Sequence, residues 1–165
     1  MIDLKSLTVG EILKLQADSL NELVSRNVLR SANKPTGDLA EYLFCNAFGW
    51  TISNNSQNGY DALCKDGFRY QIKARQLVKN NHGERMLSAI RDLEKQKFDF
   101  LAGLLFNKDY TIYKAAIIPY AVIVESNPSY AKHDNKHIFY LRDSVWQLPT
   151  VKDVTKELEE ASNKL

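Results

Sequence analysis

Asp61, Gln71 and Lys73 bring a carboxylate, a neutral amide and an ammonium group into one short stretch of this chain. The stretch reads Gly59-Tyr60-Asp61-Ala62-Leu63-Cys64-Lys65-Asp66-Gly67-Phe68-Arg69-Tyr70-Gln71-Ile72-Lys73-Ala74-Arg75. Side chains alternate faces along a strand, so Arg69, Gln71, Lys73 and Arg75 share one side and Tyr70, Ile72 and Ala74 the other. The second set belongs in a core, and the first makes a cleft-like polar surface. These residue types suit hydrolysis of a phosphodiester. That reaction needs an activated water, neutralisation of charge in the transition state and help for the leaving oxygen. A hard divalent cation such as Mg2+ or Mn2+ supplies much of this and takes oxygen ligands. Asp61 offers a carboxylate, Gln71 an amide oxygen and Ile72 its backbone carbonyl. Lys73, beside the metal, can orient or deprotonate the water, or stabilise developing negative charge.

Whether Asp61 joins that face depends on the turn. Asp66-Gly67 between two β-like runs is a strong hairpin signal. A two-residue loop there pairs Tyr60 with Lys73 and sends Asp61 to the opposite face. A three-residue loop, Lys65-Asp66-Gly67 with a left-handed Gly67, pairs Asp61 with Gln71 instead. The second form wants glycine at its third position and converges Asp61, Gln71 and Lys73, so it is the expected one.

The elements around this hairpin follow from periodicity. Residues 8–24 read as a helix with Thr8 and Glu11 at capping-box spacing and an imperfect apolar face of Ile12, Leu13, Leu20, Leu23 and Val24. Residues 27–37 are a polar, basic connection. A second helix is expected from Thr36 or Asp38 to Phe48, burying Leu39, Ala40, Leu43, Phe44 and Ala47, with Gly49 as its stop. Glu41 lies at the edge of that stripe, where a carboxylate can face outward or look into a cleft. Strands are expected over residues 50–53, 60–64 and 68–74. A helix is expected over residues 84–97, with Met86, Leu87, Ile90 and Leu93 inward. Residues 98–106 and 111–118 read as two further strands, the first apolar enough to be buried on both faces. A short helical or irregular piece covers residues 119–124, a late strand residues 137–141 and a charged helix residues 150–161. The fold class is α/β: a mixed central β-sheet of about five strands flanked by helices, in a single domain over residues 1–165. Within it, residues 36–118 form the core, residues 1–35 an N-terminal helix and connection, and residues 119–165 a C-terminal extension.

The Asp, the hairpin and the Gln-x-Lys on its second strand resemble the PD-(D/E)xK nuclease superfamily, whose fold is restriction endonuclease-like. Gln71 in place of the usual acidic residue is similar to the Mrr-type restriction endonuclease branch. Gly37-Asp38-Leu39-Ala40-Glu41 looks like that superfamily's first helix. The resemblance spans roughly residues 36–106. It implies metal binding by Asp61 and Gln71, a catalytic role for Lys73 and a supporting metal or water contact for Glu41. It also implies a DNA substrate, with restriction and defence, or junction and repair processing, as the biological setting. Tyr60 stands where the motif has its proline, a residue often absent in the superfamily. Duplex cleavage calls for two such sites, and a homodimer would provide them. Two other readings stand beside this one: a DNA-binding module of the same fold that has lost its metal, and a protein-interaction domain in which the hairpin is scaffold only.

Composition bounds these readings. With 165 residues, 44% hydrophobic and 25% charged, the chain can bury a sizeable core and is not of the disordered class. No apolar run approaches the ~18–20 residues of a membrane span. No secretory leader pattern is visible at Met1-Ile2-Asp3-Leu4-Lys5, so the expected compartment is the cytoplasm. Cys45 and Cys64 read as small buried hydrophobes in a reducing compartment. Net charge is only +2, yet residues 65–97 hold nine basic residues against four acidic. Within or beside the site, Arg69, Arg75, Lys79 and Arg85 are the candidate phosphate contacts. His133 and His137, His82, and the polar run Asn54-Asn55-Ser56-Gln57-Asn58 read as exposed or structural. Trp50 and Trp146 read as packing residues. The chain has no Walker loop, dinucleotide fingerprint or zinc cysteine set.

Overall fold

Phe100-Leu101-Ala102-Gly103-Leu104-Leu105-Phe106 has no polar face to give to water, and it forms the middle strand of the molecule. The computed structural model describes residues 2–53, 59–78, 85–131 and 136–165. Leu101, Ala102, Leu104, Leu105 and Phe106 are fully buried. The elements run α1 (Val9–Ser25), α2 (Thr36–Phe48), β1 (Thr51–Ile52), β2 (Ala62–Leu63), β3 (Arg69–Gln76), β4 (Ile90–Arg91), β5 (Phe100–Phe106), β6 (Ile112–Pro119), α3 (Tyr120–Glu125), β7 (Ser129–Ala131), β8 (Lys136–Ile138), β9 (Lys152–Asp153) and α4 (Thr155–Ser162). Short 3-10 turns lie at Leu4–Ser6, Leu93–Lys95 and Asp143–Gln147.

The main sheet has the order β1-β2-β3-β5-β6-β9. It is mixed: β3 and β5 are parallel, and every other neighbouring pair is antiparallel. A second sheet of order β4-β8-β7 lies apart from it. Two apolar cores sit on the two faces of the main sheet. Ala40, Leu43 and Phe44 of α2 and Leu158 of α4 pack with Tyr70, Ile72, Ala102 and Leu104. On the other face Leu87, Ile90, Leu93 and Phe98 pack with Leu101, Leu105 and Leu141. Alternation along β3 and β5 produces this division, since even and odd positions point opposite ways.

The start of α1 and the stop of α2 are those the sequence announces. Thr8 and Glu11 form a reciprocal capping box at the head of α1. Gly49 ends α2 in the left-handed conformation at φ 65°. The expected apolar face of α1 is not buried, however. No residue of that helix is buried, and Val9, Ile12 and Leu13 are exposed.

The helix expected over residues 84–97 is corrected. Residue 84 lies outside the described residues, and within residues 85–97 only the 3-10 turn Leu93–Lys95 is helical. The segment instead crosses from β3 to β5 in largely extended form. Ile90 pairs with His137, Arg91 with Lys136 and Met86 with Tyr140. Leu87, Ile90 and Leu93 still reach the core, so their three-residue spacing served a crossover lying on a sheet. Asp92 and Gln96 take positive φ of 49° and 43°, which no α-helix accommodates. The terminal helix starts later than expected, at Thr155, because residues 152–153 pair with β6. The strand expected at residues 50–53 shrinks to Thr51–Ile52, since Trp50 leaves the ladder to stack on Tyr70 at 3.7 Å between ring centroids. Among the described residues no helix is long and apolar enough to cross a membrane.

Candidate functional site

The three-residue loop forms. Gly67 sits at φ 83°, its amide donates to the Cys64 carbonyl at 3.0 Å, and the Cys64 amide donates to the Phe68 carbonyl at 3.1 Å. That is the turn in which a left-handed third residue lets the strands keep their twist. The ladder continues through Leu63↔Arg69 and Ala62↔Tyr70 and then stops. The Asp61 amide also donates to the Tyr70 carbonyl, at 2.8 Å, so two residues of the incoming strand face one of β3. Asp61 is thus not a ladder partner of Gln71, as expected from the turn alone. It meets Gln71 through its side chain instead.

Asp61 Oδ2 accepts from Gln71 Nε2 at 2.9 Å and from the Ile72 backbone amide at 2.7 Å. The carboxylate therefore occupies the place where a longer β2 would have continued the ladder. A residue's N–H and C=O leave a strand on the same edge, so the Ile72 carbonyl opens toward the same edge as its amide. With Gln71 Nε2 turned to Asp61, Oε1 is the amide atom left for a cation. Among the described residues Asp61 Oδ1 has no hydrogen-bond donor. Lys73 projects from the same face of β3 as Gln71 and makes no ion pair or hydrogen bond among the described residues.

Glu41 reaches this neighbourhood from α2. Its side chain is largely covered and accepts from Arg30 Nη2 at 2.9 Å. Burial pushes its carboxyl up to about 7, Arg30 opposes this, and the charges of Asp61 and Asp38 add to it. Arg30 is anchored on Asp38 through its backbone amide at 2.8 Å and its guanidinium at 2.9 Å. The Cys45 thiol is pushed up to about 11, first by burial and then by Glu41 and Asp61. Both cysteines are free and half-buried.

These residues fit a hard divalent cation. Such a cation takes oxygen ligands, and Asp61 Oδ1, Gln71 Oε1 and the Ile72 carbonyl are oxygens of that kind, with Glu41 adding a carboxylate when ionised. Among the described residues no three His, Cys, Asp or Glu side chains group as a metal cage. A site here therefore needs Gln71 Oε1, the Ile72 carbonyl and water beside Asp61 and Glu41.

The expected phosphate contacts separate. Arg69 is held by Asp99, with Nη2 at 2.8 Å from Oδ1 and its backbone amide at 2.8 Å from Oδ2. Arg85 is corrected outright as a surface contact. It is 6% exposed, its Nη1 lies 2.7 Å from Asp143 Oδ1 and its Nη2 donates to Tyr113 Oη at 3.0 Å. The guanidinium also lies over the Tyr113 ring, and among the described residues Nε has no hydrogen-bond partner. The Asp143 carboxyl is held down to about 2, chiefly by hydrogen bonding to Arg85 and Lys114. Arg75 is half-buried on the Lys73 face of β3. Lys79, His82, His133 and Asn54-Asn55-Ser56-Gln57-Asn58 lie outside the described residues. His137 belongs to β8, its ring against Tyr130 at 4.8 Å. Trp50 packs in the core, and Trp146 donates to the Ala115 carbonyl at 3.2 Å, so both are structural.

Gln71 and Lys73 open into a groove of about 580 Å³ whose other walls include Arg91, Asp92, Lys97 and Lys136. Sequence reasoning missed these last cations and Arg30. Arg91 and Lys97 belong to the basic stretch of residues 65–97, but an expected helix there hid which of its charges would turn toward Lys73. No protein-family model matches this chain, and no curated protein matches its sequence.

Proposed function

We propose that this chain is a metal-dependent DNA endonuclease of the PD-(D/E)xK type, built on a restriction endonuclease-like core and using Mg2+ or Mn2+. The observation that carries the reading is the meeting of Asp61, Gln71 and the Ile72 amide at the edge of β3, with Lys73 on the same face. Asp61, Glu41, Gln71 Oε1 and the Ile72 carbonyl would hold the cation, which supplies Lewis acidity and a water of lowered pKa. Lys73 orients the attacking water and stabilises charge developing on the phosphate oxygens. Glu41 accepts a hydrogen bond from the water and, when ionised, adds the second negative charge that Gln71 does not carry. The setting is restriction of foreign DNA or processing of DNA junctions. Cutting both strands calls for a homodimer.

The test is cleavage of plasmid, linear and branched DNA with Mg2+, Mn2+ or EDTA, beside Asp61→Ala and Lys73→Ala. Metal-dependent cutting in the wild type, lowered at least ~100-fold in either variant, is the expected result. A second reading, the DNA-binding module without catalysis, is favoured by Glu41 being held by Arg30 and by the Gln71 amide facing Asp61. Binding of DNA with no cutting of any substrate would select it. Neither cutting nor binding would select the protein-interaction domain.

A further inference from the structure

We propose that the groove in front of Gln71 and Lys73 is a track for the sugar–phosphate backbone of DNA, with Arg91, Lys97 and Lys136 holding its phosphates. The proposal rests on the nuclease reading for which strand is cut; the binding itself needs no catalysis. Among the described residues, four cations, Lys73, Arg91, Lys97 and Lys136, line the groove against one carboxylate, Asp92. They come from β3, from the crossover and from the second sheet, so this surface is assembled by the tertiary fold alone.

Arg91 and Lys136 are Cα partners on adjacent antiparallel strands. Their side chains therefore emerge on one face, and like charges directly opposite destabilise a strand pair. The strand carrying Arg91 is two residues long, so the two cations make up half of its pairing with β8. Two cations side by side, opening beside Lys73, suit an anionic occupant.

Lys97 is placed by a separate device. Gly59 has φ 76°, and a Cβ there would lie 2.3 Å from Lys97 Cδ and 2.8 Å from Lys97 Cβ. Only glycine lets the lysine stem lie against the chain two residues before Asp61. Asp92 Oδ2 then accepts from Lys97 Nζ at 2.9 Å and fixes the ammonium at the groove. The chain has no glycine-rich phosphate loop that would cradle a single nucleotide. Cations drawn from three segments suit the repeating phosphates of a strand.

The test is binding of a fluorescent DNA oligonucleotide to the full chain in EDTA, followed by anisotropy across a salt series. Arg91→Gln, Lys136→Gln and the double variant are compared with Lys156→Gln on α4, away from the groove. Each groove substitution should weaken binding about eightfold at ~0.1 M salt and flatten the log–log salt slope by about 1. The Lys156 variant should match wild type. Thermal melting of each variant is measured beside binding, so that affinity is compared between folded proteins. A double variant with wild-type melting, affinity and salt slope overturns the proposal. Groove-dependent binding by a wild type that cuts nothing in Mg2+ supports the track and overturns the nuclease reading alone. Wild-type kcat/KM for cleavage in the double variant overturns the track and leaves the nuclease reading standing.

Discussion

Glu41 and Asp61 come from different elements, α2 and the approach to β2, yet they act on one another. The Glu41 carboxyl is raised to about 7 by burial, with Asp61 adding to the shift against the pull of Arg30. An acid whose folded pKa lies above its unfolded value keeps its proton longer in the folded state. Folding stability therefore falls as pH rises from about 4.5 to about 7 and levels off above that. Glu41→Gln removes this dependence. Its melting temperature should gain on wild type between pH 5 and pH 8, and Mg2+ at pH 8 should raise the wild type more than the variant. Thermal melts at the two pH values, with and without Mg2+, check both statements; equal pH profiles would remove Glu41 from the site. Asp61, Gln71 and Lys73 were legible in the sequence because a strand's alternation and a turn's glycine place them. Arg30 was not, because its partners lie 8 and 11 residues further along, across a connection with no periodicity.

At the scale of elements, the helices and the hairpin follow local rules, and the crossover does not. Residues 85–97 carry apolar residues at near-helical spacing, yet tertiary pairing with residues 136–140 draws them out. The positive φ at Gln96 gives this a direct test. Inside an α-helix, Gln96→Gly would cost about 1 kcal/mol. At a left-handed position glycine relieves a penalty of similar size, so the substitution should leave stability unchanged or raised. Chemical denaturation of the variant decides between the two: a loss of about 1 kcal/mol would restore the helix. Arg85 shows the same limit. Its charge suggested phosphate, but the crossover buries it between Asp143 and Tyr113, partners that no local pattern connects to it.

At the scale of the molecule, the two faces of the main sheet carry different tasks. The α2–α4 face is an apolar core with Trp50 stacked on Tyr70, and it supplies rigidity to β3. The opposite face holds the crossover, the second sheet and the groove. One catalytic centre per chain cuts one strand, so the proposed duplex activity calls for two chains. Size-exclusion chromatography with light scattering on a duplex should therefore give two protomers per DNA. A strict monomer on DNA that still cuts both strands would dismiss the dimer.

The sequence by itself determined the hairpin, its three-residue turn and the end of α2, because each rests on contacts a few residues apart, and it marked β5 for burial on both faces because seven successive residues offer water no polar side chain. It also determined that Gln71 and Lys73 share a face, since alternation along a strand is a property of the backbone. Only the tertiary structure decided that Asp61 completes the edge of β3, that Arg30 reaches Glu41 and that Arg85 is buried. Only it set Arg91 and Lys136 side by side next to Lys73. Those outcomes depend on pairing and burial between distant segments, where the energy of the assembled fold overrides the preference of each piece.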